Sequence, residues 1–281
     1  MADGRILSWY EWGPGDGLPV LFCTGAAMSG SLGFGAPHLQ ELGIRLIAID
    51  RPGLGRSDPH PEKSLSSWVD DVVQLVAFID LYDVHAVGFS QGAPFAFALA
   101  ARDVIAALAI VSGQDDLAHP SIAPLLHPDV AGLIHAIRQD PCGFEESFAR
   151  VATQEALWQL IIGMSSERDR TYYLSPQFSD AYQQCLREGF ANGARPYVRD
   201  LVDALSPWPF ELEQIHVPVD LWYGGADAST VHSPDFGSTL ASRLGHGSRI
   251  FHPEEGGSLL WTRSRDILAM LKSHRYSSSH S

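Results

Sequence analysis

Val84-His85-Ala86-Val87-Gly88-Phe89-Ser90-Gln91-Gly92 decides the fold. An apolar, β-compatible run ends abruptly at Ser90, and Ala93–Ala101 continues as an apolar helix with Pro94 tolerated in its first turn. Glycines on either side of the serine suit a sharp strand-to-helix turn, in which strand and helix crowd together and the serine hydroxyl stands exposed. A helix that starts there points free N–H groups and the positive end of its dipole at that hydroxyl. A G-x-S-x-G string alone is weak, since chance supplies roughly 0.2 matches in a chain of this composition. Its place between a strand and a helix is what gives it weight.

Strand and helix signals alternate on both sides of this turn. Ile6–Trp12, Val20–Thr24, Ile44–Asp50 and Ile105–Ser112 read as strands. Ser66–Leu81 reads as a helix, with Trp68, Val72, Val73, Val76 and Ile79 at helical spacing and Ser67 with Asp70 as a capping pair. Such alternation implies right-handed βαβ units and a mostly parallel sheet. From about Asp116 to Pro209 no good strand appears. Helical stretches such as Phe144–Ile162 and Asp180–Phe190 replace it, with Phe148, Trp158, Tyr172, Tyr173, Phe178, Tyr182, Tyr197 and Trp208 expected mostly as core of the insert and otherwise as pocket lining. Alternation returns with Val219–Tyr223, Pro234–Leu244, Arg249–His252 and Arg263–Lys272. The expected organisation is a core over 1–115 and 210–276, a helical lid over 116–209, and a disordered tail over 277–281.

Three further segments carry a resemblance. Asp50-Arg51-Pro52-Gly53-Leu54-Gly55-Arg56-Ser57-Asp58 matches a D-x-P-G-x-G-x-S-D loop, the elbow follows at the expected distance, and Trp222-Tyr223-Gly224-Gly225-Ala226-Asp227 matches a strand-then-acid segment. Together with the helical insert, they make the chain resemble the α/β-hydrolase superfamily over nearly its whole length. The resemblance implies an α/β-hydrolase fold, Ser90 as nucleophile, Asp227 as the triad acid, and the N–H groups of Gln91 and Ala26 as oxyanion donors. Thr24 stands where that family usually has a histidine, a position that supports the loop and does not react. Asp115 and Asp116 follow a core strand, where some members place the acid; an N-cap for the insert is the plainer role.

The triad histidine is the larger departure. Aligned with the family, Phe251-His252-Pro253-Glu254-Glu255-Gly256-Gly257 puts Gly257 at the histidine position. A serine hydrolase without its histidine loses on the order of 10⁶ in turnover. His252 is the nearer substitute, though five extended residues span up to about 17 Å; His232, just after Asp227, ranks below it. The expectation is therefore an enzyme with an incomplete triad acting on a small apolar carbonyl compound: ester, lactone, thioester or C–C bond hydrolysis, or non-hydrolytic decarboxylation, rearrangement, elimination or cyclisation. The alternative is a non-catalytic ligand-binding or receptor-like homologue. A histidine introduced at Gly257 would restore the relay if an ordinary hydrolase had merely lost it.

Other classes are disfavoured. With 281 residues, 45% hydrophobic and 19% charged, the chain suits one large globular domain. A net charge of −14 repels phosphate backbones and anionic lipid, so neither nucleic acid nor a membrane is expected as a partner. A small apolar substrate or ligand is expected, with a homodimer left open. Gly13-Pro14-Gly15-Asp16-Gly17 is a tight turn without the Lys-Ser/Thr of a phosphate loop, and Gly53-Leu54-Gly55 lacks the third glycine of a dinucleotide site. Twelve histidines and three cysteines show no ligand spacing, so no metal and no cofactor is expected. Cys23, in an apolar run, reads as a buried structural thiol. Met1–Arg5 has no basic region leading into an apolar stretch, and a cytoplasmic location is expected by default.

Overall fold

The computed structural model describes residues 1–277. Its strands are β1 (Trp9–Trp12), β2 (Leu18–Cys23), β3 (Ile44–Ile49), β4 (His85–Phe89), β5 (Ala107–Val111), β6 (Val219–Gly224) and β7 (Gly247–His252). They form one sheet in the order β1-β3-β2-β4-β5-β6-β7. β1 runs antiparallel to β3, with Trp9 opposite Ile49, and the remaining pairs are parallel. The helices are α1 (Ala36–Leu42), α2 (Leu65–Phe78), α3 (Gly92–Ala101), α4 (Pro128–Gln139), α5 (Pro141–Phe148), α6 (Gln154–Gly163), α7 (Glu167–Tyr173), α8 (Pro176–Gly189), α9 (Arg195–Leu205), α10 (Ser238–Arg243), α11 (Leu259–Thr262) and α12 (Ser264–Ser277). This is the α/β-hydrolase fold.

The central strands are mostly apolar, with His85 of β4 and Asp220 of β6 as buried exceptions, because helices cover both faces of the sheet. Leu21 and Cys23 of β2 pack with Trp68 and Val72 of α2 and Phe95 and Leu99 of α3. Val20 and Phe22, one residue out of step, pack with Leu39 of α1 and Leu268 and Leu271 of α12 on the opposite face. Cys23 is fully buried, and burial pushes its thiol up to about 12, so it acts as a small hydrophobe. No helix among the described residues is long and apolar enough to cross a membrane.

Three local expectations are corrected. The α2 capping box is Ser64 with Ser67, not Ser67 with Asp70: Ser64 Oγ accepts from Ser67 N at 3.1 Å, and Ser64 N donates to Ser67 Oγ at 2.9 Å. Starting at Leu65 buries one more apolar residue. Phe144–Ile162 is not continuous, because Thr153 accepts from Ala156 N at 3.1 Å and starts a new helix, α6. The expected tail lies outside the described residues except for Ser277, which ends α12.

Helices α4 to α9 form the insert between β5 and β6. A buried ion cluster ties it to the core. Asp200 of α9 lies 2.9 Å from Arg51 Nε and 2.6 Å from Lys63 Nζ, all three groups being shielded from solvent. Burial and the nearby Asp200 charge push the Asp203 carboxyl up to about 7. Its proton therefore stays on the folded protein until about pH 7, whereas the unfolded chain releases it near pH 4. Ionisation opposes folding: the cost is absent below about pH 4, grows through the window and is complete above pH 7. At about 1.4 kcal/mol per pH unit, it reaches at most about 4 kcal/mol. Asp203→Asn is expected to raise Tm by several degrees at pH 8 and by much less at pH 5, measured by calorimetry at both values.

Candidate active site

Ser90 follows β4 directly and adopts φ 51°, left-handed backbone that a serine accepts only under constraint. Such a conformation costs of order 1–3 kcal/mol and persists only where its surroundings impose it. Here they do: Ser90 N donates to Val111 O at 3.3 Å, and Ser90 O accepts from Gln114 N at 3.0 Å. The flanking glycines are needed for space. A Cβ on Gly88 would stand 2.8 Å from Ala96 Cβ, and one on Gly92 would run into the Cys23 carbonyl oxygen. The elbow thus packs directly on the end of β2, and Ala26 and Gln91 line one cavity with Ser90.

The question left open by Gly257, whether another histidine lies between Ser90 and Asp227, has a geometric answer. His232 Nε2 lies 2.9 Å from Ser90 Oγ, and His232 Nδ1 lies 2.7 Å from Asp227 Oδ2. Acid and histidine come from the same loop after β6. Asp227 is fixed further by accepting from Ser229 N at 3.0 Å, and its side chain is only 5% exposed. The three residues follow one another in the chain as Ser90, Asp227 and His232. His252, ranked above His232 on sequence, instead stacks on Trp222 with centroids 5.7 Å apart and plays no part in this chain of contacts. A histidine five residues beyond the acid was the available signal. It ranks below His252 on sequence because spacing within a loop does not reveal whether the loop folds back.

Asp115 neither serves as the acid nor caps the insert. It accepts from Asp116 N at 2.7 Å and from Ser233 Oγ at 2.7 Å, while Ser233 N donates to Gly113 O at 3.0 Å. These contacts anchor the loop next to His232. Burial pushes the Asp115 carboxyl up to about 6. The first insert helix, α4, is capped by His127. Asp116 pairs with Arg243 at 3.1 Å.

Gly257 faces the other side of the acid. A Cβ there would stand 3.0 Å from Asp227 Oδ1 and 3.2 Å from Asp227 Oδ2. The N–H groups of Gly257 and Ser258 donate to Asp169 of α7 at 2.9 Å each. The turn after β7 thus holds the insert in place through a buried carboxylate.

The cavity above Ser90 has a volume of about 120 Å³. Phe148, Leu157, Leu160, Tyr173 and Leu201 of the insert give it apolar walls, and Ser90, Gln91, His232 and Ala26 supply polar groups. Of the insert aromatics, Phe148, Tyr173, Tyr182 and Tyr197 reach this cavity, so half of them line it, more than expected. The described residues contain no group of three or more metal-ligating side chains placed to hold an ion.

Comparisons with known proteins agree with this architecture. The family profile described as alpha/beta hydrolase fold matches residues 19–192. A non-heme chloroperoxidase from Streptomyces lividans is 36% identical over 97 residues, covering 32% of this chain. The match spans 34% of that curated relative's length. An esterase from Exiguobacterium antarcticum superposes with a TM-score of 0.66 at 16% identity, over 97% of this chain and 96% of that one. An enol-lactonase from Burkholderia xenovorans LB400 gives 0.65 at 17% identity, over 98% of both chains. At these identities the two structures speak for the fold alone.

Proposed function

The chain belongs to the α/β-hydrolase fold family, and on that premise we propose that it is a serine hydrolase acting on small, largely apolar esters or lactones. One observation carries the proposal: the contacts Ser90–His232–Asp227 at 2.9 and 2.7 Å. Ser90 Oγ attacks the substrate carbonyl while His232 Nε2 takes its proton, and Asp227 holds the ring and stabilises the imidazolium. The N–H groups of Ala26 and Gln91 receive the negative charge on the carbonyl oxygen. Collapse expels the alcohol, which takes the proton back from His232, and leaves an acyl group on Ser90. Water, deprotonated by His232, then attacks the acyl carbon and frees the acid. The position of His232 supports hydrolysis over the non-hydrolytic and ligand-binding alternatives, whose main ground is a missing base.

The insert acts in this proposal as a lid that limits substrate size. A dry cavity of about 150 Å³ holds benzene, so the present space of about 120 Å³ suits an acyl group of a few carbons. Short p-nitrophenyl esters test the reading. kcat/KM is expected to fall by roughly 10²-fold from butyrate to octanoate, because a longer chain must displace the insert. A fluorophosphonate should label Ser90, with fluoride leaving as the phosphorus–oxygen bond forms, and mass spectrometry of the peptide identifies the residue. Labelling elsewhere, or no labelling, would remove Ser90 from the chemistry.

A further inference from the structure

We infer that Arg51 is a positioning residue that sets the oxyanion hole and couples it to the insert; this rests on the hydrolytic function proposed above. Arg51 is fully buried, a costly place for a guanidinium unless its donors are used. They are used on one turn of the core and one helix of the insert. Nη1 donates to Thr24 O at 2.5 Å and Nη2 to Gly25 O at 2.9 Å, while Nε donates to Asp200 of α9 at 2.9 Å. The guanidinium also lies over the Phe95 ring, 4.6 Å from its centroid, which fixes its plane.

The Gly25 carbonyl and the Ala26 N–H belong to one peptide unit, and in a trans peptide the two point in opposite directions. By holding Gly25 O, Arg51 turns the Ala26 N–H the other way. Thr24, standing in place of the family's usual histidine, closes the same turn by donating to Met28 O at 2.9 Å. The loop that presents Arg51 is itself fixed: Asp50 accepts from Gly30 N at 2.6 Å and Arg56 N at 3.0 Å, and Lys63 Nζ donates to Pro52 O at 2.8 Å. Lysine does not match this work, since it donates from a single point, whereas the planar guanidinium places separate nitrogens opposite Thr24 O, Gly25 O and Asp200. Asp200 makes the arrangement depend on α9, so the hole is set with the insert docked.

The test compares wild type, Arg51→Lys and Arg51→Gln on p-nitrophenyl butyrate and its thionoester, in which sulfur replaces the carbonyl oxygen. Active enzyme is counted by fluorophosphonate titration, so partly unfolded protein does not enter the rates. A hole set for oxygen favours the oxo ester in the transition state. With Ala26 N–H misdirected, kcat for the oxo ester is expected to fall on the order of 10²-fold with KM changed less than about threefold. The oxo-to-thiono ratio should fall at least about tenfold. An arginine that merely holds the fold would lower both substrates together, and an unchanged ratio overturns the inference, as does unchanged kcat. Ser90→Ala separates the two levels. Turnover that survives it removes the hydrolytic function and this role with it; turnover lost there but with an unchanged ratio in the Arg51 variants removes the role alone.

Discussion

His232→Ala is expected to lower ester turnover by about 10⁴–10⁶-fold, the scale on which serine hydrolases lose activity when their base is removed. The contacts on both ring nitrogens carry this expectation, since each is within hydrogen-bond distance of one partner. Without the imidazole, Ser90 has no acceptor for its proton and the leaving alcohol has no donor. The oxyanion donors and the pocket remain, so a residue of activity above the uncatalysed rate should persist. His252→Ala is the matched control. Its ring stacks on Trp222 away from the relay, and turnover should change less than about threefold. Steady-state kinetics on p-nitrophenyl butyrate decides the matter: a loss under tenfold in His232→Ala, or a loss of orders of magnitude in His252→Ala, would overturn the assignment of the base.

Moving the imidazole to the position where the family usually keeps it gives the second large effect. Gly257→His alone should reduce turnover by about tenfold or more, whereas the sequence implied a gain only for a hydrolase that had merely lost its histidine. The new Cβ would press on an Asp227 carboxylate already held by His232 and Ser229, at 3.0 to 3.2 Å. Nothing in the backbone forbids the side chain, because Gly257 is not among the positive-φ residues and its N–H is spoken for by Asp169 whatever the side chain. Only space and competition for the acid oppose it. In His232→Ala/Gly257→His both objections weaken: Asp227 loses one partner and can yield by a few tenths of an ångström. The double variant should then exceed His232→Ala by at least about 10²-fold. A rise in the single variant, or no recovery in the double, would show that Asp227 cannot serve a base from that side.

The fold was legible because its determinants are local and redundant. The apolar run before Ser90, the glycines beside it and the alternation on both sides each point to a parallel sheet, and the register follows once helices must cover both faces. Asp227 is pointed to by the resemblance of Trp222–Asp227 to the family's strand-then-acid segment. His232 has no such pointer, because its position depends on the course of a loop whose anchors, Ser233 on Asp115 and on Gly113, are distant in sequence. Arg51 lies inside the D-x-P-G loop, and nothing local hints at the role inferred for it, since its partners lie in two distant regions, the Thr24–Gly25 turn and Asp200 of α9. The break at Thr153 had a local signal, a capping threonine, which the surrounding apolar periodicity masked.

In the proposed mechanism, acid and base both lie on residues 227–233, so the relay is a portable unit. A relay shared between the turns after β6 and β7 fails whenever those strands slip relative to each other. This one needs a single loop to keep its shape. The turn after β7 carries no imidazole and serves as a docking point for the Asp169 carboxylate of the insert. Substitutions around residues 255–258 should accordingly register as changes in how firmly the roof is seated, and grafting 227–233 with its Asp115 and Gly113 anchors should transplant two thirds of the machinery in one piece.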